Sequence, residues 1–138
     1  DRVDIALVLK ADGGHIGQDD QSPQHARKIL GENAIVGFST HNIDQAIRAV
    51  NFPIDYVAIG PVFQTNTKLN PDPQIGLEGV RKVRNAVGDF PLVAIGGIKL
   101  DKANDVFESG ADSVAIINDL LIPTSLIVRK IENTVVFD

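Results

Sequence analysis

A parallel α/β fold of the barrel kind is what this sequence predicts, on three observations. Apolar runs of strand length alternate with segments whose apolar residues recur at helical spacing, the pattern of successive βαβ units. The runs are β-branched and nearly continuous, which predicts strands buried on both faces of a parallel sheet. The strand–helix repeat is short, about twenty residues, and no Gly-x-Gly-x-x-Gly follows the first strand. Both features favour a barrel over a dinucleotide-binding sheet.

The elements follow in order. A first, weaker strand covers residues 13–18. Ser22-Pro23 then opens a helix, Ser as N-cap and Pro in the first turn, with Ala26, Ile29 and Leu30 as its apolar stripe. The second strand is 35–40. Asn42 caps a second helix with Ile43, Ala46, Ile47 and Val50 spaced three and four apart. Residues 55–60 form a third strand, followed by a long loop at 61–75. A helix from about Gly76 to Val87 presents Leu77, Val80, Val83 and Val87 on one face. A fourth strand at 91–97 leads to a helix that starts at Asp101, carries Ala103, Val106 and Phe107, and is closed by Gly110. A fifth strand spans 112–118, and a last helix runs from about Pro123. No low-complexity linker interrupts residues 1–138, so one domain is expected.

Composition narrows the function classes. The chain has 138 residues, enough for one core, with 43% hydrophobic and 22% charged residues. A net charge of −5 argues against a nucleic-acid partner and leaves room for a local phosphate site. No apolar run is long enough to span a bilayer, so no membrane partner is expected, and no leader pattern is read at the start. The absence of cysteine excludes disulfides and thiolate metal sites and agrees with a cytoplasmic protein. The sequence starts at Asp1 and contains no methionine, which leads us to expect a processed or truncated piece.

In a parallel α/β fold the ligand lies beyond the C-terminal ends of the strands. Those ends read Gln18-Asp19-Asp20, Ser39-Thr40-His41, Thr65-x-Thr67-Lys68, Gly96-Gly97 and Ile117-Asn118. Two hydroxyls and a fixed cation at Thr65, Thr67 and Lys68 suit an anion, since hydrogen bonds to ionised groups are the stronger kind. Gly96-Gly97 reads either as a backbone cradle for an anion or as a turn that needs positive φ, and the residues alone leave both open. Asp19 and Asp20 suit a hard cation such as Mg²⁺, or simply the N-terminus of the following helix. His15, inside a strand, is expected to be packed and hydrogen-bonded. His41 stands at the rim, as an acid–base group or as part of the cap at Asn42.

Six stretches, in order, resemble thiamine phosphate synthases: Asp1-Arg2-Val3-Asp4-Ile5-Ala6, His15-Ile16-Gly17-Gln18-x-Asp20, Gly37-x-Ser39-Thr40-His41, Gly60-Pro61-Val62-Phe63-x-Thr65-x-Thr67-Lys68, Ala94-Ile95-Gly96-Gly97-Ile98 and Gly110-Ala111-Asp112-x-Val114-Ala115. The resemblance runs from residue 1 to about 120. It implies a (β/α)₈ TIM-type barrel, here N-terminally truncated to about five of the eight strands such a barrel has. It also implies a Mg²⁺-dependent transferase that joins a pyrimidine methyl pyrophosphate to a thiazole ethyl phosphate.

Residue by residue, the resemblance makes Asp1 and Asp20 the metal ligands. Ser39 and Lys68 become the catalytic contacts to the pyrimidine pyrophosphate. Thr65, Thr67, Gly97, Ile117 and Asn118 become the thiazole phosphate cradle. Asn118 stands where the family usually has Ser. The implied partners are small phosphorylated substrates. An incomplete barrel would also tend to associate through its open edges. A thiazole phosphate tautomerase-like enzyme and a non-catalytic phosphate-binding barrel fragment are the alternatives.

Overall fold

The computed structural model describes residues 1–65, 72–117, 119 and 134–135. Thr67, Lys68 and Asn118 lie outside the described residues, as does the start of the helix expected over the tail from about Pro123; the tail residues Thr134–Val135 are strand, not helix.

Six strands form one sheet, each parallel to its neighbours: β1 (Gly13–Ile16), β2 (Ile35–Thr40), β3 (Tyr56–Ile59), β4 (Leu92–Ile95), β5 (Ser113–Ala115) and β6 (Thr134–Val135). Their order in space is their order in sequence. That order decides the architecture. Parallel crossovers are right-handed as a rule, so strands added always on the same side place the connecting helices on one face. A doubly wound sheet would have to reverse direction, and this one does not.

The connections are α1 (Val3–Val8), α2 (Pro23–Leu30), α3 (Ile43–Ala49), α4 (Gly76–Val87) and α5 (Ala103–Glu108), the last preceded by a 3₁₀ turn at Leu100–Lys102. Ser22 caps α2 by accepting from the His25 amide at 3.2 Å, and Asn42 caps α3 by accepting from Gln45 at 2.9 Å. Both N-caps are where the sequence puts them. On α4, Val80 and Val83 are fully buried while Leu77 and Val87 pack at its margin.

The core lies between the helix layer and one face of the sheet. Ile16, Phe38, Val57 and Leu92 stand in one row across four strands, all buried, against Ala26, Ala46, Val80 and Val106. Residues in register in a parallel sheet share a face, so the row forms a single apolar stripe. Burying each of its side chains contributes roughly 1.5–3 kcal/mol.

Three expectations need correction, and one element goes beyond them. The strands are not buried on both faces: Ile35 is 54% exposed, Val93 and Ile95 are half-buried, and β4 alternates in burial along its length. Continuous apolar character marks the pleat without showing what covers each side. The sheet has six strands rather than five, because the two-residue β6 is too short to leave a pattern. Helix α1 is likewise invisible to periodicity, being under two turns long. On α3 only Ala46 of the expected stripe is buried among its core positions, with Val50 packed at the margin; Ile43 and Ile47 remain exposed.

The N-terminal end of the sheet is held by two copies of one device. On α2, Arg27 donates from Nε to Pro53 O (3.1 Å), from Nη1 to Gly31 O (3.1 Å) and Ala34 O (2.5 Å), and from Nη2 to Asp55 (2.6 Å). The same Asp55 oxygen accepts the Val36 amide at 2.6 Å. On α4, Arg84 donates to Gly110 O (2.7 Å), Gly88 O, Phe90 O (3.0 Å) and Asp112, whose oxygen accepts the Leu92 amide at 2.8 Å. Arginine and aspartate are 28 residues apart in both.

Candidate functional site

All the strands point one way, so their C-terminal ends share one rim. The rim residues fall into two groups. The first gathers around the end of β1. The amino group of Asp1 donates to His15 O at 2.6 Å, and Asp20 Oδ2 accepts the Gly17 amide at 2.7 Å. Both aspartates are thus tethered to the last turn of one strand, and both are exposed. Gln18 reaches across to β2, its Nε2 donating to Ser39 O at 2.5 Å. Asp20 closes the turn at Gly17, two residues ahead of the Ser22 cap, so its carboxylate is not the helix N-cap.

Beneath the rim, His15, Gly37 and Tyr56 are in register on β1, β2 and β3. The His15 ring lies over Gly37, Nδ1 at 2.9 Å from Tyr56 Oη and Nε2 at 2.7 Å from Ser39 Oγ. The two rings stack with centroids 5.6 Å apart. A Cβ at Gly37 would land on the Tyr56 ring and within 2.5 Å of His15 Nδ1, so only glycine leaves room for the arrangement. Burial pushes the His15 pKa down, the positive Asp1 amino group adds to this, and Asp20 partly offsets it. Burial pushes the Tyr56 phenol up. His15 is packed and hydrogen-bonded, as expected. Tyr56 escaped the sequence reading, although it is the chain's only tyrosine and stands where a strand reads otherwise aliphatic.

The second group joins the ends of β3 and β4. The Val62 and Phe63 amides donate to Ile95 O and Gly96 O, both at 3.0 Å. Gly97 has φ +67°, and a Cβ there would meet Phe63 O at 2.6 Å and Gln64 O at 2.5 Å. Gly96, at φ +92°, is pressed against Pro61 in the same way. The two glycines therefore supply both the turn and the close approach of two loops. Thr65 borders a cavity of about 240 Å³ with Pro61, Gln64, Asp72 and Gln74. Ile117 is half-buried just past β5.

His41 links the groups. Its Nδ1–H donates to Gly60 O at 2.8 Å with Asp72 at 3.5 Å, and its backbone amide donates to Gln45 Oε1 at 2.7 Å. This is a bracket between the ends of β2 and β3 combined with a reciprocal cap for α3. Of the sequence-derived site residues, Asp1, Asp20 and Ser39 fall in the first group, Gly97 and Thr65 in the second, and Ile117 at the neighbouring strand end. Among the described residues, no cluster of three or more His, Cys, Asp or Glu groups could hold a metal by itself, and no helix is long and apolar enough to cross a membrane.

Residues 1–120 match the family model described as thiamine monophosphate synthase. The thiamine-phosphate synthase of Koribacter versatilis is 49% identical over 122 residues, covering 88% of this chain and 57% of the relative. That of Methanosarcina mazei is 49% identical over 118 residues, covering 86% and 49%. The chain thus spans about half the length of the curated relatives it matches. The solved thiamine phosphate pyrophosphorylase from Pyrococcus furiosus superposes with a TM-score of 0.73 at 40% identity, over 84% of this chain and 54% of that one. A FabK mutant from Thermotoga maritima, at 21% identity and a TM-score of 0.66, shares the fold alone, over 81% of this chain and 36% of that one.

Proposed function

The chain belongs to the thiamine monophosphate synthase family, and from that premise we propose that it carries the site of a thiamine phosphate synthase. The reaction joins 4-amino-2-methyl-5-(diphosphooxymethyl)pyrimidine to a thiazole ethyl phosphate carboxylate and releases pyrophosphate and carbon dioxide. The division of the rim into two groups carries this proposal, because the reaction has two anionic ends to hold. The group at β1 and β2 suits the pyrophosphate that leaves, and the group at β3 and β4 suits the phosphate that stays.

The C–O bond to pyrophosphate breaks with its electrons on the leaving oxygen. The pyrimidine-stabilised methylene cation is then attacked by the thiazole nitrogen, and the carboxylate leaves as carbon dioxide, its bonding pair staying in the ring, which with one proton taken up becomes the aromatic thiazolium. No protein nucleophile is needed. Ser39 and Lys68 bind the pyrophosphate and stabilise its developing charge. Thr65, Thr67, Gly97, Ile117 and Asn118 grip the remote phosphate and so hold the nitrogen beside the carbon. Asp1 and Asp20 would hold Mg²⁺: two exposed carboxylates at one strand end fit a hard cation that keeps waters and substrate phosphates as its other ligands. When bound, the metal supplies positive charge against the departing pyrophosphate.

The half-exposed second face and the sheet ends at β1 and β6 fit part of a (β/α)₈ barrel, in which that face is the filled interior and the ends meet. As a cytoplasmic chain on its own, it would self-associate through those edges.

Incubation with both substrates, with and without Mg²⁺, tests the function. Thiamine phosphate and pyrophosphate should appear together and only with metal and both substrates. Pyrophosphate released from the pyrimidine substrate alone would contradict the proposal, and metal-independent isomerisation of the thiazole would favour a tautomerase-like enzyme. Thiazole phosphate alone should raise the thermal midpoint; no shift in a folded sample would count against the cradle.

A further inference from the structure

We propose that Tyr56 sets the tautomer of His15, so that His15 donates to Ser39 and leaves the Ser39 hydroxyl proton free for an anion. The inference rests on the reading of Ser39 as a pyrophosphate contact. His15 and Tyr56 enter it as positioning residues.

The geometry allows two arrangements. In a neutral imidazole one ring nitrogen donates and the other accepts. If Nδ1 carries the proton, it donates to Tyr56 and Nε2 accepts the Ser39 hydroxyl proton. Ser39 then faces its ligand with lone pairs only and repels an anion. If Nε2 carries the proton, it donates to Ser39 Oγ at 2.7 Å, and Tyr56 Oη donates to Nδ1 at 2.9 Å. The Ser39 proton is then turned away from the histidine.

Chemistry selects the second arrangement. A phenol is a stronger donor than an aliphatic hydroxyl and a weaker acceptor, because its lone pair is delocalised into the ring. The better donor, Tyr56, therefore faces the bare nitrogen, and the better acceptor, Ser39, faces N–H. Among the described residues neither hydroxyl has another side-chain partner to reverse this choice. Gly37 keeps the rings in reach of each other.

Two measurements on the full chain test the inference. Long-range ¹H–¹⁵N spectra, with the His15 signals identified by their loss in His15→Gln, should show Nε2 protonated and Nδ1 bare. Titration with inorganic pyrophosphate and Mg²⁺ should show Ser39→Ala binding about tenfold more weakly, and Tyr56→Phe about fivefold more weakly with the Nδ1-protonated form now populated. His15→Gln, whose amide N–H reaches the Nε2 position, should stay within about twofold of the parent, whereas His15→Phe should fall to the level of Ser39→Ala. Nδ1 protonation in the parent chain overturns the inference whatever the binding data say. So does parental affinity in Tyr56→Phe. The expected tautomer with no pyrophosphate binding by the parent overturns instead the assignment of Ser39 to pyrophosphate, and with it the free-donor role.

Discussion

The two ends of the sheet use polar residues in opposite ways. At the N-terminal end, Arg27 and Arg84 direct their donors at the chain's own carbonyls and at Asp55 and Asp112, which in turn accept strand amides. Each clamp ties a helix to the turn that follows it and to the strand after that. At the C-terminal end, the Asp20 carboxylate and the Ser39 hydroxyl each meet one neighbour, Gly17 N and His15 Nε2, Asp1 is held by its amino group, and all three residues remain at least partly open. Closed networks rigidify, and partly open groups can bind. That is the division of labour expected of the two ends of a parallel α/β sheet, stability at one end and ligand contacts at the other.

The sharpest break in this comparison is Arg27→Ala. The arginine is only 11% exposed, and its loss strands several carbonyls and Asp55 together. The expected loss is about 3 kcal/mol, read as a lower urea midpoint, with ligand affinity unchanged in the fraction that stays folded. Arg84, 21% exposed in its own clamp, should behave alike. A loss below about 1 kcal/mol at both sites would remove the clamps from the account. Gly97→Ala comes next: a forced φ of +67° and two carbonyl clashes should cost about 2 kcal/mol and, if the proposed cradle includes this turn, also weaken thiazole phosphate binding. Parental binding after that change would separate Gly97 from the cradle.

Ser39→Ala should do the reverse of Arg27→Ala, shifting stability by less than about 1 kcal/mol while turnover drops. The smallest effect is that of pH. The His15 pKa is depressed in the folded state, so the unfolded chain takes up the proton first. The stability contributed by neutral His15 is complete above the unfolded value of about 6.5 and is lost as pH falls through the folded-state value. Unfolding followed between about pH 7 and pH 5 should therefore show a decline that His15→Gln flattens. An equal decline in both would assign the effect to other groups.

Much of the fold was legible before any coordinates. Ser22, Asn42 and Gly110 mark helix boundaries by local chemistry, and local chemistry survives into the structure. The long helix Gly76–Val87 is legible because three turns give a 3.6 period room to show. What failed was short or depended on a neighbour: α1, β6 and the outward turn of Ile43 and Ile47. The clamps were equally hidden, since Arg27 and Asp55 meet across 28 residues with nothing in either local sequence to announce it.

By itself, then, the sequence determined the alternation of parallel strands and helices, the caps that begin α2 and α3, and the set of polar residues at the strand ends. These follow from residue type and spacing along the chain. Only the tertiary structure decided that His15 spans from Tyr56 to Ser39 over Gly37, that Gly97 lies against Gln64 O, and that one face of the sheet stays half-exposed. Those facts depend on register between strands and on what packs above them, and side chains that are distant in sequence acquire them only when the sheet assembles.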